Sequence, residues 1–239
     1  DGLTVEKYNS QKKLLDDLDT AFQGYEDLDE SVRGLDRFGE QAHDIISSPT
    51  TRKAFDLSLE KPAEATRFGR HEFGQSLLLA SRLIESGVHF VTVRLRPAEF
   101  DFDTHTDNFS RLSNLLPPFD KGLASLIDRL KERGLFSSTA IMVAGEFGRT
   151  PKVNNQGGRD HWARAMFALM AGGDVQGGQA IGETDKLAGE PEGAGYSPED
   201  IAASFFQNIG ISPQKEFQTN VGRPINLVRD GQLIKQLFS

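Results

Sequence analysis

Apolar side chains recur at helical spacing through the first third of the chain. Val5, Tyr8, Leu14, Leu15, Leu18 and Phe22 set the rhythm over residues 5–22, and Val32, Leu35, Phe38, Ala42, Ile45 and Ile46 continue it over 29–46. Ser47-Ser48-Pro49 breaks the pattern, and 50–55 reads as a further short helix. A longer helix is predicted over 64–86, with Phe73, Leu77, Leu78, Ala80, Leu83 and Ile84 on its apolar side and Gly87 as its C-cap. The period changes after that glycine. Residues 88–95, rich in β-branched and aromatic side chains, predict a strand with His89 packed inside it.

A polar loop then runs from Arg96 to Asp107. Asn108 is placed to cap a helix reaching about Arg133, interrupted or bent at Pro117-Pro118 and ended by Gly134. The run 138–144 reads as a buried strand leading into a glycine-rich loop, and 165–171 as a third strand closed by Gly172-Gly173. Loop follows over 174–196. Ser197-Pro198-Glu199-Asp200 is a strong helix start, with Ser197 at the N-cap, Pro198 at the first helical position and Asp200 at the third. That helix is expected to end near Gly210. A small hairpin is expected from 225–228 and 232–237, around Arg229-Asp230-Gly231. Helices alternating with strands give an α/β class, read as one domain over 1–239. In it, 1–87 is mainly helical and 88–239 is the α/β part that carries the chemistry.

Composition narrows the functional classes. A length of 239 residues suits one large domain or two small ones. The net charge of −8 argues against a broad nucleic-acid surface, so an anionic ligand would have to be held locally by a metal, an arginine or a helix N-terminus. The absence of cysteine excludes disulfides, thiolate metal sites and a cysteine nucleophile. No apolar run approaches the length of a membrane span. The chain starts at Asp1 in the middle of a helical pattern, which is expected of part of a longer polypeptide.

Two segments concentrate polar chemistry. Asp101, Asp103, His105 and Asp107 place three acids and an imidazole in one short loop, a dense set of oxygen and nitrogen ligands. Such ligands suit zinc, manganese, magnesium or calcium, with the imidazole favouring the transition metals. An acidic solvated loop with Asn108 as helix cap is the alternative reading of the same residues. The second segment is Gly145-Glu146-Phe147-Gly148-Arg149-Thr150-Pro151-Lys152, followed by Gly158-Arg159-Asp160-His161-Trp162. If the strands preceding the two segments are neighbours and parallel, their ends bring Asp103, His105, Glu146 and His161 to one ion. Asp160 is either a further ligand or the acceptor that orients an imidazole. Arg149 suits an anionic group through its guanidinium fork, or else pairs with Glu146 or Asp160. Lys152 reads as a solvated lysine, and Trp162 as a core anchor or a lid. His43 and His71 lie in helical segments without ligand neighbours.

These motifs resemble the bacterial DUF1501 family. The resemblance rests on Phe102-Asp103-Thr104-His105 with Asn108-Phe109, on the 145–152 and 158–162 segments, and on Tyr196-Ser197-Pro198-Glu199-Asp200-Ile201-Ala202 with Gly222-Arg223-Pro224. Ala54-Phe55-Asp56-Leu57 and Gly87-Val88-His89-Phe90-Val91 fit as well. The resemblance implies the alkaline phosphatase/sulfatase superfamily, with its sheet flanked by helices and its metal ligands at strand ends. It implies that Asp103 or Asp101, with His105, is the mid-chain ligand pair, that Glu146 stands for the later acid, and that His161 is the final histidine. Phe147 stands where that superfamily commonly has a histidine. Relatives commonly carry an additional N-terminal segment with the first sheet strand and an early metal-binding Asp, so the chain is expected to be an incomplete version of the full fold.

The activity implied is a metal-dependent hydrolysis of phosphate or sulfate esters, with a divalent ion as cofactor and a small anionic ester as substrate. The other expectation is a non-catalytic or degenerate module that binds a metal or an anion. Thr104 and Thr150 are hydroxyls near the site, but neither is nominated as a nucleophile. Family relatives commonly carry twin-arginine export signals, which implies a periplasmic or exported protein.

Overall fold

The computed structural model describes residues 48–94, 102–193, 195–219 and 221–239, together with Lys13 and Gly39. The helices expected over 5–22 and 29–46 otherwise lie outside the described residues, as do His43 and Asp101. The chain divides into two compact units, Asp1–Leu59 and Glu60–Ser239. In the first, helix α1 (Pro49–Phe55) starts as the sequence predicts. Ser48 caps it by accepting from the Thr51 N–H at 3.3 Å, and Pro49 supplies a first turn that needs no donor.

Three helices build the core of the second unit: α2 (Pro62–Phe68), α3 (Glu72–Glu85) and α4 (Asn108–Glu132). The single helix expected over 64–86 is therefore two. Gly69 adopts φ +93, which ends α2, and His71 turns the chain back into helix by accepting from the Gly74 N–H through Nδ1 at 3.1 Å. Phe68, Phe73, Leu77 and Leu78 are buried, and α4 meets them with Gly122, Ser125, Leu126, Arg129 and Leu130. Those five positions follow the i, i+3, i+4, i+7, i+8 pattern of one helix face. The helix runs unbroken through Pro117 and Pro118.

Arg129 is 2% exposed, and its guanidinium is shared among three carboxylates. It reaches Glu85 Oε1 at 2.8 Å, Glu60 at 3.0 and 3.1 Å, and Glu64 Oε2 at 3.3 Å. Burial opposes its charge, but the hydrogen bonds to Glu60 and Glu85 hold its pKa above the ordinary value. Arg82 adds a second cation on Glu60. This network ties α2, α3 and α4 together around a side chain that could not be buried unpaired.

Among the described residues, the strands are short and pair antiparallel. Strand β1 (Ile141–Ala144) pairs β4 (Ala168–Ala171), with Met142 opposite Met170. Strand β2 (Gly148–Arg149) pairs β3 (His161–Trp162), and β5 (Glu216–Gln218) pairs β6 (Pro224–Asn226). The expected strands at 138–144 and 165–171 are thus present in part. Among the described residues, 88–94 form no strand, and His89 and Phe90 are exposed rather than packed. The alternation of half-buried and exposed positions over 91–94 survives without the pairing.

Helix α5 (Pro198–Asn208) has the capping box written in its sequence: Ser197 Oγ accepts from the Asp200 N–H, and Asp200 Oδ2 accepts from the Ser197 N–H. The hairpin expected from 225–228 and 232–237 is replaced by β5–β6. Residues 232–234 cannot pair as a strand because their donors go elsewhere. The Gln232 N–H donates to Asp200 Oδ1 at 2.7 Å and the Ile234 N–H to Ser204 Oγ at 2.9 Å, which seats Ile234 in the core.

Candidate metal centre

Backbone pairing between two loops builds the site. The Arg159 N–H donates to the Thr104 carbonyl at 2.9 Å, and Thr106 forms an isolated bridge to Gly157. The first donors of α4 are then taken by the same loop: the Asp107 N–H reaches the Gln156 carbonyl at 3.2 Å and the Asn108 N–H the Gly157 carbonyl at 2.9 Å. Asn108 is therefore not the cap. Asp107 holds that position with φ +49, and the Asn108 side chain turns inward to accept from Thr104 Oγ1 at 2.5 Å. Gly158 is where the two backbones touch. A Cβ there would overlap the His105 carbonyl, so only glycine admits the approach.

Asn154 fastens the loop with all four of its hydrogen-bonding capacities. Its Oδ1 accepts from the Gln156 and Gly158 N–H groups, each at 2.9 Å. Its Nδ2 donates to the His105 carbonyl and to Asp160 Oδ1, each at 3.1 Å. Sequence reading missed this residue. The only signal was an Asn-Asn-Gln-Gly-Gly run, which reads as an ordinary turn. Thr150 and Arg159 complete the frame: Thr150 Oγ1 donates to the Lys152 carbonyl and accepts from the Asp160 N–H, and Arg159 donates to the Thr150 and Pro151 carbonyls at 2.6 Å. Thr104 is 1% exposed. Both hydroxyls noted in the sequence are thus committed to structure.

Three ligand atoms converge. Asp103 Oδ1 lies 3.0 Å from His105 Nε2 and 3.1 Å from His161 Nε2, and the two ring nitrogens are 3.1 Å apart. Asp160 Oδ1 lies 3.0 Å from the other nitrogen of His105, Nδ1. A carboxylate can only accept, so Nδ1 donates to Asp160. Nε2 faces the Asp103 oxygen and the second imidazole, a place for a shared proton or a cation. Ligand atoms on a tetrahedral ion with bonds of about 2.0–2.1 Å stand roughly 3.3 Å apart, and octahedral ones about 2.9 Å. The observed triangle falls between these spacings, so the donor set fits a divalent ion. The carboxylate–imidazole contact behind His105 is the support such a ligand uses.

Arg149 stands directly opposite His161 across β2–β3, and its Nη1 donates to Asp103 Oδ1. Glu146 is not brought into the triangle. It is 67% exposed and meets Arg149 Nη2 at 3.8 Å. Phe147 packs its ring 4.4 Å from that of His161. Burial raises the Asp103 carboxyl, but the hydrogen bonds from Arg149 and His161 together bring it below the usual range. Hydrogen bonds from His105 and Asn154 lower Asp160 likewise. Trp162 is an anchor: its Nε1 donates to the Gly189 carbonyl at 2.7 Å and ties down the turn around Asp185. Lys152 is exposed, as expected. Parallel strand ends play no part, since the paired strands are antiparallel and no strand precedes Asp103 among the described residues.

A mixed α/β chain with one carboxylate and two imidazoles converging beside an arginine is the class these observations define. The chain belongs to the DUF1501 family, described as a protein of unknown function, whose family model matches residues 1–238. No curated protein and no solved structure matches it.

Proposed function

We propose that the protein is a metal-dependent hydrolase of phosphate or sulfate esters, a member of the alkaline phosphatase-like folds. The mutual spacing of Asp103 Oδ1, His105 Nε2 and His161 Nε2 carries the reading. A divalent ion bound there would polarise an ester oxygen and lower the pKa of a bound water. The chain's own residues do the rest. Asp103, His105 and His161 hold the ion, and Asp160 keeps His105 in the tautomer that can bind it. Arg149 binds the anionic group of the substrate. Among the described residues, Asp103 and Asp160 bring carboxylates to the two imidazoles, and Glu146 adds a third beside Arg149. On the same reading the protein is exported to the periplasm or beyond, as the family resemblance implies.

Metal analysis of the purified protein, paired with a screen of phosphate and sulfate esters, tests the proposal. Stoichiometric metal with turnover that His105→Ala abolishes is expected. A metal-free protein without turnover on any ester, even after metal is added, would sink it. Phe147 favours a second reading, a non-catalytic metal- or anion-binding module, because a phenyl ring beside His161 cannot supply the ligand of a second ion. Turnover lost on His105→Ala would exclude that reading.

A further inference from the structure

One carboxylate oxygen has too many suitors. Asp103 Oδ1 accepts from Arg149 Nη1 and also faces both imidazole Nε2 atoms, while a carboxylate oxygen offers about two lone-pair sites. The oxygen that would bind a divalent ion is therefore the one Arg149 holds. The guanidinium is not locked there. Glu146, its other acidic neighbour, is 3.8 Å away and largely exposed, and the Phe147 ring lies 5.7 Å from its Cζ. The Arg149 backbone is pinned opposite His161 by β2–β3, so a guanidinium that leaves Asp103 still stands beside the cluster.

Resting on the metal reading above, we propose that Arg149 is an exchangeable occupant of the centre. In the ion-free chain its guanidinium neutralises Asp103. A divalent ion competes for the same oxygen and repels the guanidinium, which then takes an oxyanion as its partner. The planar fork that meets a carboxylate in one state matches phosphate, sulfate or another carboxylate in the other. Ion and oxyanion binding are thereby coupled, and each strengthens the other by the same factor. The centre holds its anion-binding arm in reserve until the ion is in place.

Calorimetric titration of Mn²⁺ into the wild-type chain, Arg149→Gln and Arg149→Lys tests this, with folding of each variant checked by circular dichroism. Without oxyanion, Arg149→Gln is expected to bind Mn²⁺ about tenfold more tightly than wild type, because the competing cation is gone, and Arg149→Lys less so. Saturating sulfate is expected to tighten Mn²⁺ binding about tenfold in wild type and to leave Arg149→Gln within about threefold. Phosphate and acetate arms distinguish a tetrahedral oxyanion from a carboxylate as the partner. Equal Mn²⁺ affinity in wild type and Arg149→Gln overturns the exchange and leaves the metal centre standing, as does an equal effect of sulfate on both. Absence of Mn²⁺ binding in all three proteins overturns the metal reading itself.

Discussion

Replacing Arg129 by alanine removes the one cation that all three carboxylates of the helical core share. Glu60, at 11% side-chain exposure, keeps Arg82, while Glu64 and Glu85 keep only the longer contacts to Arg67 at 3.7 Å and Arg133 at 3.6 Å. Breaking a buried pair from one side costs about 3–5 kcal/mol, because the remaining charge is left uncompensated. Glu64 and Glu85 retain roughly a quarter of their exposure, and water reaching them favours the lower end, about 3 kcal/mol. For a unit of this size that corresponds to a fall in Tm of roughly 6–12 °C. Urea unfolding followed by far-UV circular dichroism measures the loss.

The pH dependence is fixed in sign. The hydrogen bond with Arg129 is the chief cause holding the Glu60 carboxyl below its ordinary value of 4.5. Its contribution is therefore complete above that value and lost as the pH falls through the lower folded value. The gap between wild type and Arg129→Ala should be full at neutral pH and narrow as the pH falls below 4.5 through the folded Glu60 value. A variant as stable as wild type at pH 7, or a gap that widens on acidification, would refute the reasoning.

Asp160→Asn removes the charge that fixes the His105 tautomer while keeping the side-chain shape. Metal affinity should fall about tenfold, the low end for such a supporting contact because Asp160 is 53% exposed, and a chelator-competition assay reads it. An unchanged affinity would show that His105 needs no such support. Gly158→Ala forces a methyl group into the His105 backbone and should cost about 2–3 kcal/mol. Gly157→Ala, which has room but φ +71, should cost only about 1 kcal/mol. Equal losses in chemical denaturation at the two positions would contradict the close approach.

Local rules were enough for much of this chain. The Ser197-Pro198 start and the capping box at Asp200 follow from side chains within a turn of one another, which the sequence displays directly. The motif residues Asp103, His105, Asp160, His161 and Arg149 were equally visible, because ligand-bearing side chains crowd two short segments. Their arrangement was not. Parallel strand ends were expected to join the segments, whereas an antiparallel bridge between 104–106 and 157–159 does so, and it depends on a glycine that fits only because of what lies opposite it.

The loss of the final hairpin has a tertiary cause: the Gln232 and Ile234 donors take acceptors on α5, which the local pattern cannot name. Glu146 illustrates the same limit: it sits in the motif yet stands outside the triangle, held only at a distance by Arg149. Asn154 carries no chemistry of its own in the sequence and becomes the fastening of the site once both loops are in place. The sequence by itself determined which side chains could do the chemistry. Only the tertiary structure decided which of them meet, because that depends on backbone partners far along the chain.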